Sequence, residues 1–276
     1  MAGLQNVERM SLDTPYGPPS DEYVLGSSGG QRLAFLPRHG VGHRLLPSEL
    51  NFRANIHGFK QLGADAIVSL SAVGSLREDI APGHVVVPDQ LVDRTRGRVS
   101  TFFGDGVVAH VSFADPFCPE LSRVLVACAR ESGAMVHEGG TYICMEGPQF
   151  STRAESRLYR SWGGDVIGMT NLQEAKLARE AEICFATLAM ATDYDCWRTQ
   201  SDVVDIDTVL QVLAANSELA RQTVRLLAER APVVRGCRCR RALDGAIITE
   251  RARIPARRYA DLAVIAGRVL ARGEPS

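Results

Sequence analysis

Apolar positions in this chain fall into short runs of strand character, separated by stretches with helical spacing. Tyr23 to Leu25 and Arg32 to Leu36 read as two strands joined by Gly26-Ser27-Ser28-Gly29-Gly30. That glycine run lacks a following Lys-Ser/Thr and a helix, so it predicts a hairpin turn rather than a phosphate loop. Ser48 is placed to cap a helix whose apolar residues Phe52, Ile56, Phe59 and Leu62 lead to Gly63. Ala66 to Ala72 and Val85 to Val87 are strand-like, and Leu121, Val124, Leu125 and Cys128 mark one face of a helix ending at Gly133. Thr152-Arg153-Ala154-Glu155 is a capping box before a helix that stops at Gly163-Gly164. A strand (Asp165 to Met169), a helix (Leu172 to Ala181) and a strand (Ile183 to Ala191) then follow in close succession. This βαβ pattern predicts parallel pairing and a mixed α/β sheet. Val209, Leu213, Ala220, Val224 and Leu227 outline a long amphipathic helix, and Tyr259 to Leu270 a terminal one. There is no internal repeat and no linker long enough to separate two domains.

The 276 residues suffice for a large buried core, and 45% hydrophobic with 23% charged residues is ordinary globular usage. Disorder, collagen and coiled coil are thereby excluded. No apolar run reaches membrane-span length, and Met1 to Asp21 has no signal-peptide core, so the expected compartment is the cytoplasm. Net charge is −1, which argues against a chain built to follow a polyanion. Only Lys60 and Lys176 are lysines, so 29 of the 31 basic residues are arginines, and the Arg-rich stretch from Pro232 to Ser276 reflects that background. No nucleic-acid or membrane partner is expected.

Seven cysteines without a secretion signal do not suggest a disulfide framework. Cys118, Cys128, Cys144, Cys184 and Cys196 sit in apolar surroundings and read as small core residues. Cys237 and Cys239 form a C-x-C pair flanked by Arg235, Arg238, Arg240 and Arg241. Zinc would need two further ligands, and none follows nearby in sequence. The expectation is plain packing or surface thiols, with a local redox pair as the alternative.

Ligands of parallel α/β sheets gather at the carboxyl ends of strands, where four clusters stand. They are Arg38-His39-Gly40 with His43, Ser71-Ala72-Val73-Gly74-Ser75, Met169-Thr170, and Asp193-Tyr194-Asp195. Arg38 offers a fork of donors, His39 one more, and Ser71 and Thr170 hydroxyls beside strand-end N–H groups, which together suit an oxyanion. Taken singly, the histidines could serve only turn hydrogen bonding and Arg38 a salt bridge. Asp193 and Asp195, two residues apart on an extended segment, are expected to point to one side. They could hold a metal, act as acid and base, or read a ligand's donor groups. Cys196-Trp197 after them suggests a buried surround that raises carboxylate pKa and favours proton donation.

Longer blocks carry a resemblance. Arg38-His39-Gly40 with His43, Asn51-Phe52-Arg53-Ala54-Asn55, Ser75-Leu76-Arg77-Glu78 with Pro82-Gly83, and Asp89 to Thr95 resemble the methylthioadenosine phosphorylase branch of the trimeric purine nucleoside phosphorylases. So do Pro116-Phe117-Cys118-Pro119, Glu146 to Glu155 and Met190 to Trp197, and the likeness runs from Gln5 to Leu270. It implies an α/β fold with a central mixed, barrel-like sheet flanked by helices, a homotrimer, and phosphorolysis of 5′-methylthioadenosine to adenine and 5-methylthioribose 1-phosphate. By matching positions, Arg38, His39, Ser71, Ala72 and Thr170 would hold phosphate. Met169 would lie near the ribose, Phe150 and Ile167 against the base, and Asp193 and Asp195 at the purine edge. His110 would be lent to a neighbouring subunit's 5′-substituent pocket, which Ile206 and Val209 would line.

No metal or organic cofactor is implied, since phosphate is the nucleophile. A carboxylate at Asp195 can accept a 6-amino N–H, which favours adenine-type substrates over 6-oxopurines. The alternatives are a 6-oxopurine or methylthioinosine phosphorylase, and a non-catalytic nucleoside- or nucleic-acid-binding derivative. Three departures from the family pattern stand out. The Gly-rich phosphate turn with its strand, expected near the start, is absent. Residues 1–276 therefore read as one N-terminally incomplete domain, with a natural start about 20 residues earlier and weak activity as written. Ser71 stands where Thr is common, and Gly168 where Asn is frequent. Gly236-Cys237-Arg238-Cys239 matches a motif that forms a disulfide in some relatives from hot environments, yet reduced thiols are expected here.

Overall fold

In a computed structural model, which describes residues 4–198, 206–230 and 236–270, the elements follow the apolar pattern closely. In chain order they are β1 (Gln5–Met10), β2 (Tyr23–Ser28), β3 (Gln31–Phe35), α1 (Phe52–Gln61), β4 (Ala66–Ser75), β5 (Val85–Val87) and β6 (Gln90–Arg94). Then come α2 (Pro119–Glu131), β7 (Val136–Glu138), β8 (Thr141–Met145), α3 (Arg153–Ser161), β9 (Val166–Gly168), α4 (Asn171–Glu180) and β10 (Cys184–Asp193). The chain ends with α5 (Ile206–Arg230), α6 (Ala256–Asp261) and α7 (Ala263–Leu270). The terminal helical stretch is thus two helices, with Leu262 capping the first.

The predicted hairpin is present as β2 and β3, paired antiparallel with β1 on the outer side. Gly29 and Gly30 take positive φ in its turn, the backbone that a two-residue hairpin loop requires. At α1 the cap is Asn51, whose side chain accepts from the Ala54 N–H, and not Ser48. A short 3₁₀ turn, Pro47–Glu49, occupies the position expected of the cap, and Ser48 instead donates to Glu146. The Thr152 capping box forms as expected.

Seven strands form one curled mixed sheet in the order β6-β8-β9-β4-β10-β5-β7. β4 and β10 pair in parallel over their full length. The βαβ reading of β9-α4-β10 is corrected on one point. β4 lies between the two strands, and β9 runs antiparallel to it through Gly74–Ile167 and Ser75–Val166. Apolar periodicity identifies a strand but carries no direction, so the pattern could not reveal this.

β10 is buried on both faces, and its alternation divides the core. Cys184, Ala186, Leu188 and Met190 pack with Leu121, Leu125 and Cys128 of α2 and with Ala220 and Leu227 of α5. Phe185 faces the other way, against residues of α1, α4 and α7. The strand is thereby held rigidly from Cys184 to the point where Asp193 leaves the sheet. Among the described residues no helix is long and apolar enough to cross a membrane.

Candidate active site

The antiparallel course of β9 shapes the site. Because β9 pairs with β4 only at Gly74 and Ser75, the chain beyond it, Met169 and Thr170, is carried back along the β4 edge towards Ala72 and Ser71. Two sequence clusters, separated by about a hundred residues, thus share one stretch of strand. Along Ala66–Val73 that edge of β4 has no ladder partner among the described residues, and the Arg38 guanidinium reaches its Leu70 carbonyl at 2.9 Å.

Arg38 is gripped from three sides. Its Nη2 also donates to Ser69 Oγ at 2.7 Å, and its Nε lies 2.8 Å from Glu174, which accepts from the Ser69 hydroxyl as well. The salt bridge anticipated as the plain alternative therefore exists, and it leaves Nη1 without a protein partner among the described residues. Glu174 belongs to the first turn of α4, and Thr170 is the N-cap of the same helix. The Thr170 hydroxyl makes no capping bond, and the Asn171 and Leu172 N–H groups at the helix start point to the Cys144 sulfur. His39 donates from Nδ1 to the Leu45 carbonyl at 2.9 Å, stacks on His43 at 4.3 Å, and is held below its ordinary pKa by burial. With the proton on Nδ1, the remaining nitrogen accepts in the neutral ring and donates only when the ring is protonated.

Ser71 is buried, with its hydroxyl 3.3 Å from that of Tyr142. Tyr142 explains Gly168, because a Cβ there would lie 1.9 Å from the Tyr142 oxygen. A bulky phenol fills the space that a side chain at 168 would need. Ala72 is exposed on the β4 edge.

At the far end of β4 a second group converges. A Cβ on Gly74 would meet Asp193 Oδ1 at 3.0 Å, Ile167 Cγ2 at 3.1 Å and Asp195 Cβ at 3.3 Å. Glycine is required there so that the two aspartates and Ile167 can close around it. Asp193 accepts from the Thr192 hydroxyl and from the Asp195 backbone N–H, both at 2.7 Å. β10 ends at Asp193, and Asp195 has φ of 50°, so the pair does not lie on an extended segment. A tight turn, and not strand alternation, brings the carboxylates together. Burial raises both carboxyls above the usual range, against the opposing hydrogen bonds of Thr192 and the Asp195 N–H at Asp193, and the nearby Ser156 and Ser151 hydroxyls at Asp195. Asp195 Oδ2 is buried and makes no hydrogen bond of good geometry, although the Ser156 and Ser151 hydroxyls stand near the carboxyl. A carboxylate oxygen so placed costs stability and marks a place where a donor belongs.

Sequence reasoning assigned no role to Arg98, which is buried and organises this region. It donates to the Met169 carbonyl at 2.5 Å, to Gln173 at 3.2 Å, and to both the side chain and the carbonyl of Glu146. Met169 is thereby fixed by an arginine from a loop whose sequence has no periodic signal. Ile167 is buried and Phe150 is 46% exposed, standing at the surface before α3. His110 is exposed, with its backbone tied to Ala246. Ile206 and Val209 lie in the first turns of α5, with side chains outside the described residues.

Comparisons with known proteins match this arrangement. Residues 3–229 fit the model of the phosphorylase superfamily. The S-methyl-5′-thioadenosine phosphorylase of Geobacter sulfurreducens is 57% identical over 268 residues, spanning 97% of this chain and 94% of that protein. The chain belongs to the phosphorylase superfamily, among its methylthioadenosine phosphorylases. It is an enzyme of the pentosyltransferase type. The Synechocystis S-methyl-5′-thioadenosine phosphorylase is 52% identical over 97% of this chain and 83% of its own length. Among solved structures, a methylthioadenosine phosphorylase from an Antarctic soil metagenomic library superposes with a TM-score of 0.90 at 47% identity, over 96% of this chain and 94% of that one. An adenosine/methylthioadenosine phosphorylase variant from Schistosoma mansoni, solved with adenine, gives 0.80 at 36% identity over 83% and 88% of the two chains. The expected fold and family are therefore those observed.

Proposed function

We propose that this phosphorylase cleaves 5′-methylthioadenosine with inorganic phosphate, releasing adenine and 5-methylthioribose 1-phosphate, in salvage of the purine and of the methylthio group. The observation that carries the substrate assignment is the buried Asp195 Oδ2 beside Asp193, which makes no hydrogen bond of good geometry. A carboxylate oxygen can accept the exocyclic N–H of adenine, and a 6-oxo group offers no such donor.

The free Nη1 of Arg38, the hydroxyls of Ser71 and Thr170, His39, and the exposed backbone at Ala72 would receive phosphate at the start of α4. One phosphate oxygen attacks C1′ as the bond to N9 breaks, and the bonding pair passes to the purine. The sugar is oxocarbenium-like in between, so positioned phosphate oxygens stabilise it. Asp193, whose carboxyl burial raises above the ordinary range, gives its proton to N7 as charge develops there. Met169, fixed by Arg98, sits against the ribose, and Ile167 with Phe150 against the base. No metal or organic cofactor enters this chemistry.

His110 is exposed on its own subunit, which suits a residue lent to a neighbour's pocket alongside Ile206 and Val209 in a homotrimer of the cytoplasm. Asp195→Asn tests the base assignment. Loss of one buried acceptor, worth about 1 to 3 kcal/mol, lowers the preference for methylthioadenosine over methylthioinosine by about ten- to a hundredfold. An unchanged ratio of kcat/KM values removes Asp195 from base recognition.

A further inference from the structure

Four of the seven cysteines meet at one point. The Sγ atoms of Cys118, Cys184, Cys237 and Cys239 all lie within 4.8 Å of one another, and all four residues are buried. Three distant segments supply them. Cys118 is the N-cap of α2, Cys184 opens β10, and Cys237 and Cys239 flank the start of the 3₁₀ turn Arg238–Arg241. The two ligands that the C-x-C pair lacks in sequence are thus provided by the fold.

We propose that these four cysteines form a closed, structural tetrathiolate site for a zinc ion. Zinc–sulfur bonds of about 2.3 Å put tetrahedral sulfurs about 3.8 Å apart. Cys118 and Cys237 are 3.4 Å apart, within a few tenths of an ångström of that spacing and well beyond the roughly 2.0 Å of a disulfide. Four soft donors without a carboxylate or an open position select zinc over magnesium or calcium and leave no place for substrate. Cys118 Sγ accepts from the Leu121 N–H at the positive end of α2, a placement suited to a sulfur that carries negative charge. Binding replaces the four thiol protons, which pass to solvent, by one Zn²⁺, leaving a net charge of −2 beside a turn carrying Arg238, Arg240 and Arg241.

The ion would tie the segment after α5 to α2 and to the first residue of β10. That is about 30 Å along the strand from Asp193, so the metal stabilises the scaffold and takes no part in phosphorolysis.

The test is metal analysis of the full-length chain without a metal-binding tag, purified with a reductant from cells grown with zinc. About one zinc per chain is expected, cobalt loading should give thiolate-to-cobalt absorption in the near ultraviolet, and chelation should lower Tm. Cys239→Ser should lose the metal, whereas Cys144→Ser, at a buried thiol outside the cluster, should keep it. A wild-type chain that takes up neither zinc nor cobalt overturns the site, whether its thiols count as seven free or, by pairing into disulfides, fewer.

Discussion

The Asp195 backbone N–H donates to Asp193 Oδ1 at 2.7 Å, so the conformation of the second carboxylate depends on the first. Asp193→Asn keeps an acceptor for that bond and removes the acidic proton. We expect kcat to fall about 10²- to 10⁴-fold with little change in KM. Asp193→Ala should also raise KM, because the turn that sets Asp195 is released. With the Asp193 pKa raised by burial, the acid is lost as pH rises through that value, so wild-type kcat declines on the alkaline side. A pH profile for Asp193→Asn with the same alkaline decline would assign the proton to another group.

Glu180 offers a stability test away from the site. It is buried, accepts from the Phe102 N–H and the Thr101 hydroxyl, both at 2.7 Å, and burial pushes its carboxyl up to about 7. A carboxyl raised on folding binds its proton more tightly in the native state. Its contribution is therefore complete below the ordinary carboxylate pKa and is lost as pH rises through about 7. The loss is on the order of 3 kcal/mol. Denaturant unfolding between about pH 5 and pH 8 should show this decline, and Glu180→Gln should flatten it.

Gly168 and Tyr142 form a packing pair. Gly168→Ala drives a methyl group into the Tyr142 phenol, and overpacking of this kind costs about 1 to 3 kcal/mol. Combining it with Tyr142→Leu should recover part of that loss, measured as a coupling energy in a double-mutant cycle. Strict additivity would mean that the phenol does not fill the site.

Arg98 is the residue whose removal should separate binding from chemistry. Arg98→Lys keeps the charge but not the planar fork that spans Glu146, Gln173 and the Met169 carbonyl. Slack at Met169 and Thr170 should raise KM for nucleoside and phosphate more than it lowers kcat. Steady-state kinetics with each substrate varied in turn checks this, and a pure kcat defect would contradict it.

Much of this was legible in the sequence. Apolar periodicity located most of the elements, because burial against the sheet dictates it, and the strand-end clusters named Arg38, Ser71, Thr170 and Asp193 before any geometry. What the pattern could not hold was direction and distance. The antiparallel β9, the left-handed Asp195 and the Asn51 cap depend on turns whose sequences admit several solutions. Arg98 and Glu174 act from a loop and a helix face where charged residues are ordinarily solvated. Cys118 and Cys184 read as core residues because their partners lie far along the chain.

The most direct test of the central claim is a spectrophotometric assay of the purified wild-type chain with 5′-methylthioadenosine, with and without inorganic phosphate. Adenine and 5-methylthioribose 1-phosphate should appear in equal amounts, only when phosphate is present, and faster than hypoxanthine appears from methylthioinosine at the same concentration. Release of hypoxanthine alone, or of adenine at a rate indifferent to phosphate, would contradict the account.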